Sequence, residues 1–382
     1  MNKLLEFNKH EVKYFKLNEI CEIKRGERIT KKDLTQNGYP VMSGGKTFFG
    51  YYDKYNRDEN TITIAQYGTA GYVNWISEKF WANDVCYCLF PNEKILNNKF
   101  LYYVLKNKQE QIYEDVIEAT PSHYPIEALK NIAIPLPPIE IQNEIVHILD
   151  TFTELITELI TELKHRNIQY QYYLDNIFLC LSNPNSKEWN TKFSKLIKQL
   201  CPNGVQFVKL DKVCEIKRGE RITKKDLTKC GYPVVSGGRT FFGYYDKYNR
   251  NENTITIAQY GTAGFVNWIS EKFWANDVCY CLFPNEKILN NKFLYYVLKN
   301  KQEQIYEDVI DATPAHYPIE ALKDILIPLP PIEIQNKIAN ILDQFNDLTN
   351  SISLGLPKEI ELRKQQYEYY RNKLLTFKQL EK

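Results

Sequence analysis

Ser43-Gly44-Gly45-Lys46-Thr47 ends as a phosphate-binding loop ends, and it is the first place in this 382-residue chain where chemistry can be sought. The complete pattern G-x-x-x-x-G-K-[ST] needs glycine at position 40. That position is Pro40, and a second copy of the segment has Arg239 in place of the lysine. A basic side chain that can be either Lys or Arg suits a phosphate or a guanine edge better than a nucleotide loop. Glu22-Ile23-Lys24 and its copy Glu215-Ile216-Lys217 have the E-x-K spacing of many metal-dependent nucleases. That chemistry needs a further acidic ligand, and none precedes Glu22 in a suitable position, so a salt pair on a strand is the simpler reading. His123 and His316 are duplicated in ATPSHYP and ATPAHYP, but Ser122 becomes Ala315, which removes a shared serine nucleophile. The chain also lacks a CxxC pair, a glycine-rich cofactor loop and the D/N-P-P-Y/F tetrapeptide of amino-methyltransferases. No catalytic residue and no metal ligand is expected.

What remains is a binding surface. Lys24, Arg25, Arg28, Lys31 and Lys32 recur unchanged as Lys217, Arg218, Arg221, Lys224 and Lys225. Each set places five bases against one acid in nine residues, which suits phosphates. Lys46, Gln66, Tyr67, Thr69 and His123, with Arg239, Gln259, Tyr260, Thr262 and His316, fall in loops. They supply donors, acceptors and stacking faces of the kinds used on base edges and sugars.

These residues need a scaffold that presents them twice. IPLPPIEIQNEIVHILD at 134–150 returns as IPLPPIEIQNKIANILD at 327–343, an offset of 327 − 134 = 193. The offset holds without a gap from Leu17/Leu210 to Asp150/Asp343, with about sixteen differences. Such repetition decides architecture before any local signal does. Each copy opens with a short apolar stretch, Leu17 to Ile23, which reads as a strand after a polar lead-in. Strands and tight turns follow over 38–53, 59–76 and 80–90, then a helix over 97–116, the loop 119–125 and a last strand ending at Pro135. This makes a mixed α/β unit of about 135 residues, within the usual domain range.

A long helix follows each unit. Ile141, Ile145, Ile148, Phe152, Leu155 and Leu159 are spaced 4-3-4-3-4, and Ile334, Ile338, Ile341, Phe345, Leu348 and Ile352 repeat those intervals. That spacing is a coiled-coil seam, and the other copy is the nearest partner for each. The expected class is therefore α/β (α+β): two repeated mixed domains, pseudo-two-fold symmetric, separated and joined by two long antiparallel coiled-coil helices. The expected boundaries are 1–137 and 207–330 for the domains, 138–181 and 331–382 for the helices, and 182–206 for a polar linker and lead-in. The first helix holds a tandem TELI-TELI-TEL at 153–163, and Gly355 and Pro357 predict a kink or a restart in the second.

Composition narrows the class. A net charge of +2 does not announce a nucleic-acid binder, so the local clusters carry that case. Nine cysteines, an odd number mostly copied between repeats, fit free thiols, with Cys86 and Cys88 on one face of a strand as core. No run approaches the roughly 20 apolar residues of a membrane span, and the first residues lack a signal-peptide core, so a cytoplasmic protein with no membrane partner is expected.

Taken together, these motifs resemble the specificity subunits of type I restriction-modification systems. The likeness rests on IPLPP-x-E-I-Q closing each domain, Q-N-x-I-x-x-I-L-D opening each helix, LPKEIELRKQQYEYYRNKLLTF at 356–377, LCPNGVQF before the second domain, and the TELI repeats. It covers essentially the whole chain. The resemblance implies a non-catalytic DNA-binding subunit whose two target-recognition domains each read half of a split sequence. The helices would hold the domains apart and dock two modification (methyltransferase) subunits, which methylate adenine with S-adenosylmethionine. Restriction subunits using ATP and Mg would join through them, and no cofactor would bind this chain itself. Members commonly carry unlike domains, whereas these are nearly identical, so an interrupted palindrome is the expected target. The alternative from the residues alone is a symmetric protein-binding scaffold with a coiled-coil spacer; a self-sufficient nuclease is a further rival.

Overall fold

The computed structural model describes residues 11–182, 192–350 and 355–380. The chain forms two compact units that do not follow its linear order: residues 1–160 with 359–382, and residues 161–358. The first contains β1 (Glu11–Val12), β2 (Tyr14–Lys16), α1 (Leu17–Ile20), β3 (Cys21–Arg25), β4 (Tyr39–Met42) and β5 (Gly50–Tyr52). After these come β6 (Thr61–Ala65), β7 (Val73–Ile76), β8 (Trp81–Ala82) and β9 (Cys86–Pro91). The domain then closes with α2 (Asn98–Asn107), α3 (Gln109–Glu114), α4 (Ile126–Asn131) and β10 (Ala133–Pro135). The mixed α/β class and the two repeated domains are as the sequence predicts.

Strand alternation builds three layers. β3, β9, β6 and β7 form an antiparallel sheet in that order. Ile62, Ile64, Tyr87 and Leu89 belong to the core that α2 covers, while Cys86 and Cys88 belong to a separate core with Met42, Phe80 and Ala82. That second core lies under the smaller sheet β5-β4-β8. A period of two thus sends one set of β9 side chains to the helix and the other to the small sheet. All nine cysteines are unpaired, and eight are buried.

Three expectations change. Leu17 to Ile20 make a helical turn, with the strand starting only at Cys21. Leu17 and Ile20 are 0% and 4% exposed, and a spacing of three puts both on one face of a turn but on opposite faces of a strand. The helix over 97–116 is broken at Lys108, and just past the break the Gln109 side chain accepts from the Val73 N–H at 2.9 Å and donates to the Gly71 carbonyl at 2.8 Å. The described part of the polar lead-in, from Glu11 on, is a pair of strands. β2 pairs antiparallel with β10, and β1 pairs in parallel with the last strand of the chain, Lys378–Gln379.

A 44-residue helix, α5 (Ile139–Ser182), leaves the first domain. Its entry is fixed by Gln142, which is fully buried and bridges three chain segments. The Gln142 amide donates to the carbonyls of Ile95 (2.9 Å) and Pro137 (2.8 Å) and accepts from the Asn97 N–H (2.8 Å). Gln335 repeats these bonds in the second unit. The glutamine of the repeated P-P-x-E-I-Q motif is therefore an anchor.

Residues of the expected helix-pairing stripe are buried to different degrees. The buried face of α5 runs through Gln142, Ile145 and Leu149; Ile141, Ile148, Phe152 and Leu159 are partly buried and Leu155 is 41% exposed. In the second copy Ile334, Ile338 and Leu342 are fully buried and Phe345 partly so, whereas Ile341 and Leu348 are 37% and 38% exposed. Ile352 lies outside the described residues, as do residues 183–191 of the predicted linker and lead-in. The partners of these helices are the expected ones, each meeting the long helix that follows the other copy. Within the first unit Phe152 stacks on Tyr370 at 5.6 Å, and within the second Phe345 packs on Tyr173 at 5.2 Å. Each helix start therefore meets a tyrosine-rich helix end, which accounts for the repeated Q-Y-x-Y-Y. The expected restart occurs: one helix ends at Asn350 and another spans Leu356–Leu375, with Pro357 in its first turn, where a missing N–H costs little. Among the described residues no helix is long and apolar enough to cross a membrane.

Candidate nucleic-acid interface

Three loops of the first domain converge. The loop between β4 and β5 carries Gly44 and Lys46, the loop between β6 and β7 carries Tyr67 to Ala70, and the segment after α3 carries Glu118 to His123. The Thr69 N–H and hydroxyl both donate to the Gly44 carbonyl, at 2.7 and 2.9 Å. A Cβ at Gly44 would sit 2.4 Å from the Tyr67 carbonyl oxygen, and one at Gly68, where φ is +76°, would sit 2.5 Å from that of Gly44. The paired glycines are thus required by backbone-to-backbone contact. The third loop is tied in by bridges from His123 to Tyr67 and Ile117, and the Tyr67 and His123 rings lie 5.9 Å apart.

A cleft of about 400 Å³ opens between them, lined by Lys46, Gly68, Thr69, Tyr113, Glu118 and Ser122 among others. The Lys46 ammonium stands 5.4 Å from the centre of the Tyr72 ring, and Lys106 stands 4.1 Å from the same ring. Burial, and then the charge of Lys46, hold the Lys106 ammonium below its usual pKa. In the second domain Arg239 and Lys299 share Phe265 in the same manner, and burial followed by Arg239 lowers Lys299. Two cations thus share one aromatic ring in each unit.

The basic segment divides into two parts. Lys24 is engaged by Glu22 at 2.8 Å, and Arg25 lies over Tyr87 at 5.6 Å, and their copies Lys217 and Arg218 repeat both contacts. Arg28, Lys31 and Lys32 project from a loop that is itself held down. Ile29 exchanges backbone bonds with the Asn83 side chain, the Trp81 indole donates to the Glu27 carbonyl at 2.8 Å, and Asp33 accepts from the Thr30 N–H and hydroxyl. Those two bonds keep the Asp33 carboxyl below its usual range. Arg221, Lys224 and Lys225 occupy the equivalent loop, where Asp226 caps Thr223. An anchored loop with free cationic tips is suited to tracking a phosphate backbone.

The structure therefore brings Lys46 and Thr69 to one cleft, with Tyr67 and His123 tying together the loops that form it, and the same loop contacts recur at Tyr260, Thr262 and His316, with Arg239 at the position of Lys46. Thr69 and Thr262 use their hydroxyls to brace the glycine loop. Gln66 and Gln259 depart from expectation. They are 6% and 5% exposed, and each leaves its side-chain oxygen without a partner. Sequence reading overlooked Glu118 and Tyr72 of the cleft, and the exposed aromatic row Phe48, Phe49 and Tyr51 beside it. The signal for the first two was present, since both are exchanged between the copies. Among the described residues no group of three His, Cys, Asp or Glu side chains could hold a metal ion.

The model of the type I restriction modification DNA specificity domain matches residues 9–166 and again 202–362. A Haemophilus influenzae protein proposed as a type I restriction enzyme specificity subunit, S.HindORF215P, is 30% identical over 409 residues, covering 99% of this chain and 98% of its own. The Escherichia coli EcoR124I/EcoR124II specificity subunit is 29% identical over 411 residues, covering 96% and 95%. The crystal structure of a type I restriction-modification S subunit from M. genitalium shares the fold, with a TM-score of 0.70 at 20% identity over 96% of this chain and 97% of that one. The chain belongs to the type I restriction-modification specificity subunits, the DNA target-recognition family, and carries their domain twice.

Proposed function

We propose that this chain reads a bipartite DNA target, one half-site per domain, and that the target is an interrupted palindrome. The observation that carries the reading is the duplication of the three-loop geometry itself. Thr262 reaches the Gly237 carbonyl at 2.7 and 2.9 Å, and Tyr260 and His316 lie 5.9 Å apart, the values found in the first domain. Two equal readers present equal half-sites on opposite strands. Arg28, Lys31, Lys32 and their copies hold phosphates, while residues of the cleft address bases or sugars. The chain performs no catalysis; two methyltransferase subunits methylate adenine with S-adenosylmethionine, restriction subunits supply ATP- and Mg-dependent cleavage, and the complex works in the cytoplasm. A protein-binding scaffold is the second reading, favoured by the exposed aromatic row. Salt-sensitive retention of DNA by the purified chain, with no cleavage in Mg, supports the first. Salt-independent retention of protein and not DNA supports the second, and cleavage by the chain alone defeats both.

The helix of the TELI repeats serves as a ruler in this reading. Deleting Thr157 to Ile160 removes about 6 Å of helix, comparable with one or two base-pair steps of roughly 3.4 Å. The non-specific spacer in the selected DNA should shorten while both half-sites stay unchanged. A change in either half-site would mean that the helix does more than set distance.

A further inference from the structure

Between residues 17–150 and 210–343 the copies differ at sixteen of 134 positions. Four of those sixteen meet at the one cleft between the three loops. Lys46, Glu118 and Ser122 line it, and Tyr72 lies under Lys46; the second copy has Arg239, Asp311, Ala315 and Phe265. The cation stays a cation and the acid stays an acid, but their lengths change in opposite directions. Arginine reaches further than lysine, and aspartate falls one methylene short of glutamate. The combined reach across the cleft is thereby kept. Lys106 shares the Tyr72 ring, is bonded to the Val73 carbonyl at 3.0 Å and is half-buried, whereas Lys46 lines the cleft. Both Lys46 and Glu118 are exposed there.

An acid kept in this position is out of place on a phosphate track, where it would repel the backbone. Opposite charges at a fixed total reach instead match a base pair. In the major groove guanine offers the O6 and N7 acceptors, and its cytosine partner offers an N4 amine donor. We propose that this cleft reads one G·C pair in each half-site, with Lys46 or Arg239 donating to guanine and Glu118 or Asp311 accepting from cytosine N4. The proposal rests on the DNA-reading function above. The second cleft lacks the hydroxyls of Ser122 and Tyr72, and the five N–H donors of arginine against three on lysine offset that loss.

The test is selection from randomised duplexes by the full chain, as wild type and as K46R, E118D, K46R/E118D and E118A. The wild type should select G·C at one matching position of both half-sites. E118A should weaken that preference by about ten-fold or more in one half-site and leave the other untouched. E118D should weaken it in part, and K46R/E118D, which installs the pair of the second cleft, should restore it. The proposal is overturned if E118A strengthens binding to every sequence equally, if the double variant is merely the sum of the singles, or if the affected position is not G·C. A wild type that retains DNA but selects no sequence removes the half-site reading along with it, and this is seen before any variant is made.

Discussion

Asn107 and Asn300 occupy the same place in two nearly identical domains, yet they are held by partners of opposite charge. The Asn107 carboxamide oxygen accepts from the Arg371 guanidinium at 3.2 Å, whereas the Asn300 amide donates to the Asp175 carboxylate at 3.0 Å. Phe100 and its copy Phe293 behave alike, one meeting Phe377 at 6.4 Å and the other Phe178 at 6.0 Å. An amide that can donate or accept and a phenyl ring without polar demands tolerate helices that have diverged. Packing against the helices has therefore not kept the domains alike, because the helix sides of those contacts differ while the domain sides do not. At the loop faces the bonds of Thr69/Thr262 and His123/His316 repeat to within a tenth of an ångström, so the backbone frame is kept even where four side chains of the cleft are exchanged. The units also close differently. The first is completed by the last residues of the chain, through β1 with Lys378–Gln379 and the Tyr14 hydroxyl donating to the Phe377 carbonyl at 3.1 Å.

That closure gives the sharpest way to separate the units. Phe377 is buried in the core of the first, so Phe377→Ala should cost about 3–5 kcal/mol there and leave the second unit intact. Hydrogen exchange resolved by peptide checks this, and equal loss of protection in both units would show that they unfold as one. A smaller, symmetric effect is expected at the helix entry. The Tyr103 hydroxyl donates to the Asp150 carboxylate, and Tyr296 to Asp343 at 2.5 Å. Tyr103→Phe or Tyr296→Phe should each remove about 1.5–3 kcal/mol from its own unit, read from denaturant midpoints; a change in only one unit would break the equivalence. The mildest effect concerns pH. Burial pushes the Cys21 and Cys214 thiols from 9.0 to about 12. Their neutral forms contribute stability that is fully present below pH 9 and is lost as pH rises towards 12, because the unfolded chain ionises first. Cys21→Ala should flatten the alkaline fall in the first unit relative to the second.

Much of this was legible in the sequence because it was repeated or periodic. The offset of 193, the alternation in β6 and β9 and the proline-marked helix starts each carry a local signal. The turn at Leu17 was hidden because the apolar stretch from Leu17 to Ile23 reads as one strand, although the spacing of three between Leu17 and Ile20 suits a turn. The closure of the chain ends was hidden as well: β1 and the last strand are two residues each and lie more than 360 positions apart. The domain-facing side of α5 was hidden because it holds a buried glutamine, Gln142, that no hydrophobic count includes. At the site, the glycine loop, Lys46 and His123 could be picked out by type. Gln66 could not be told from a surface glutamine, and the paired exchange of Lys46 and Glu118 gained meaning only once both lined one cleft.

The central claim is that two equal faces read two equal half-sites. Co-expression of the chain with the methyltransferase subunits proposed for it, followed by long-read mapping of N6-methyladenine across the host genome, tests it most directly. The expected result is a single interrupted palindromic motif with methylated adenine on both strands. Two unrelated half-sites would contradict it, and would mean that the few exchanges at the cleft are enough to make the domains different readers.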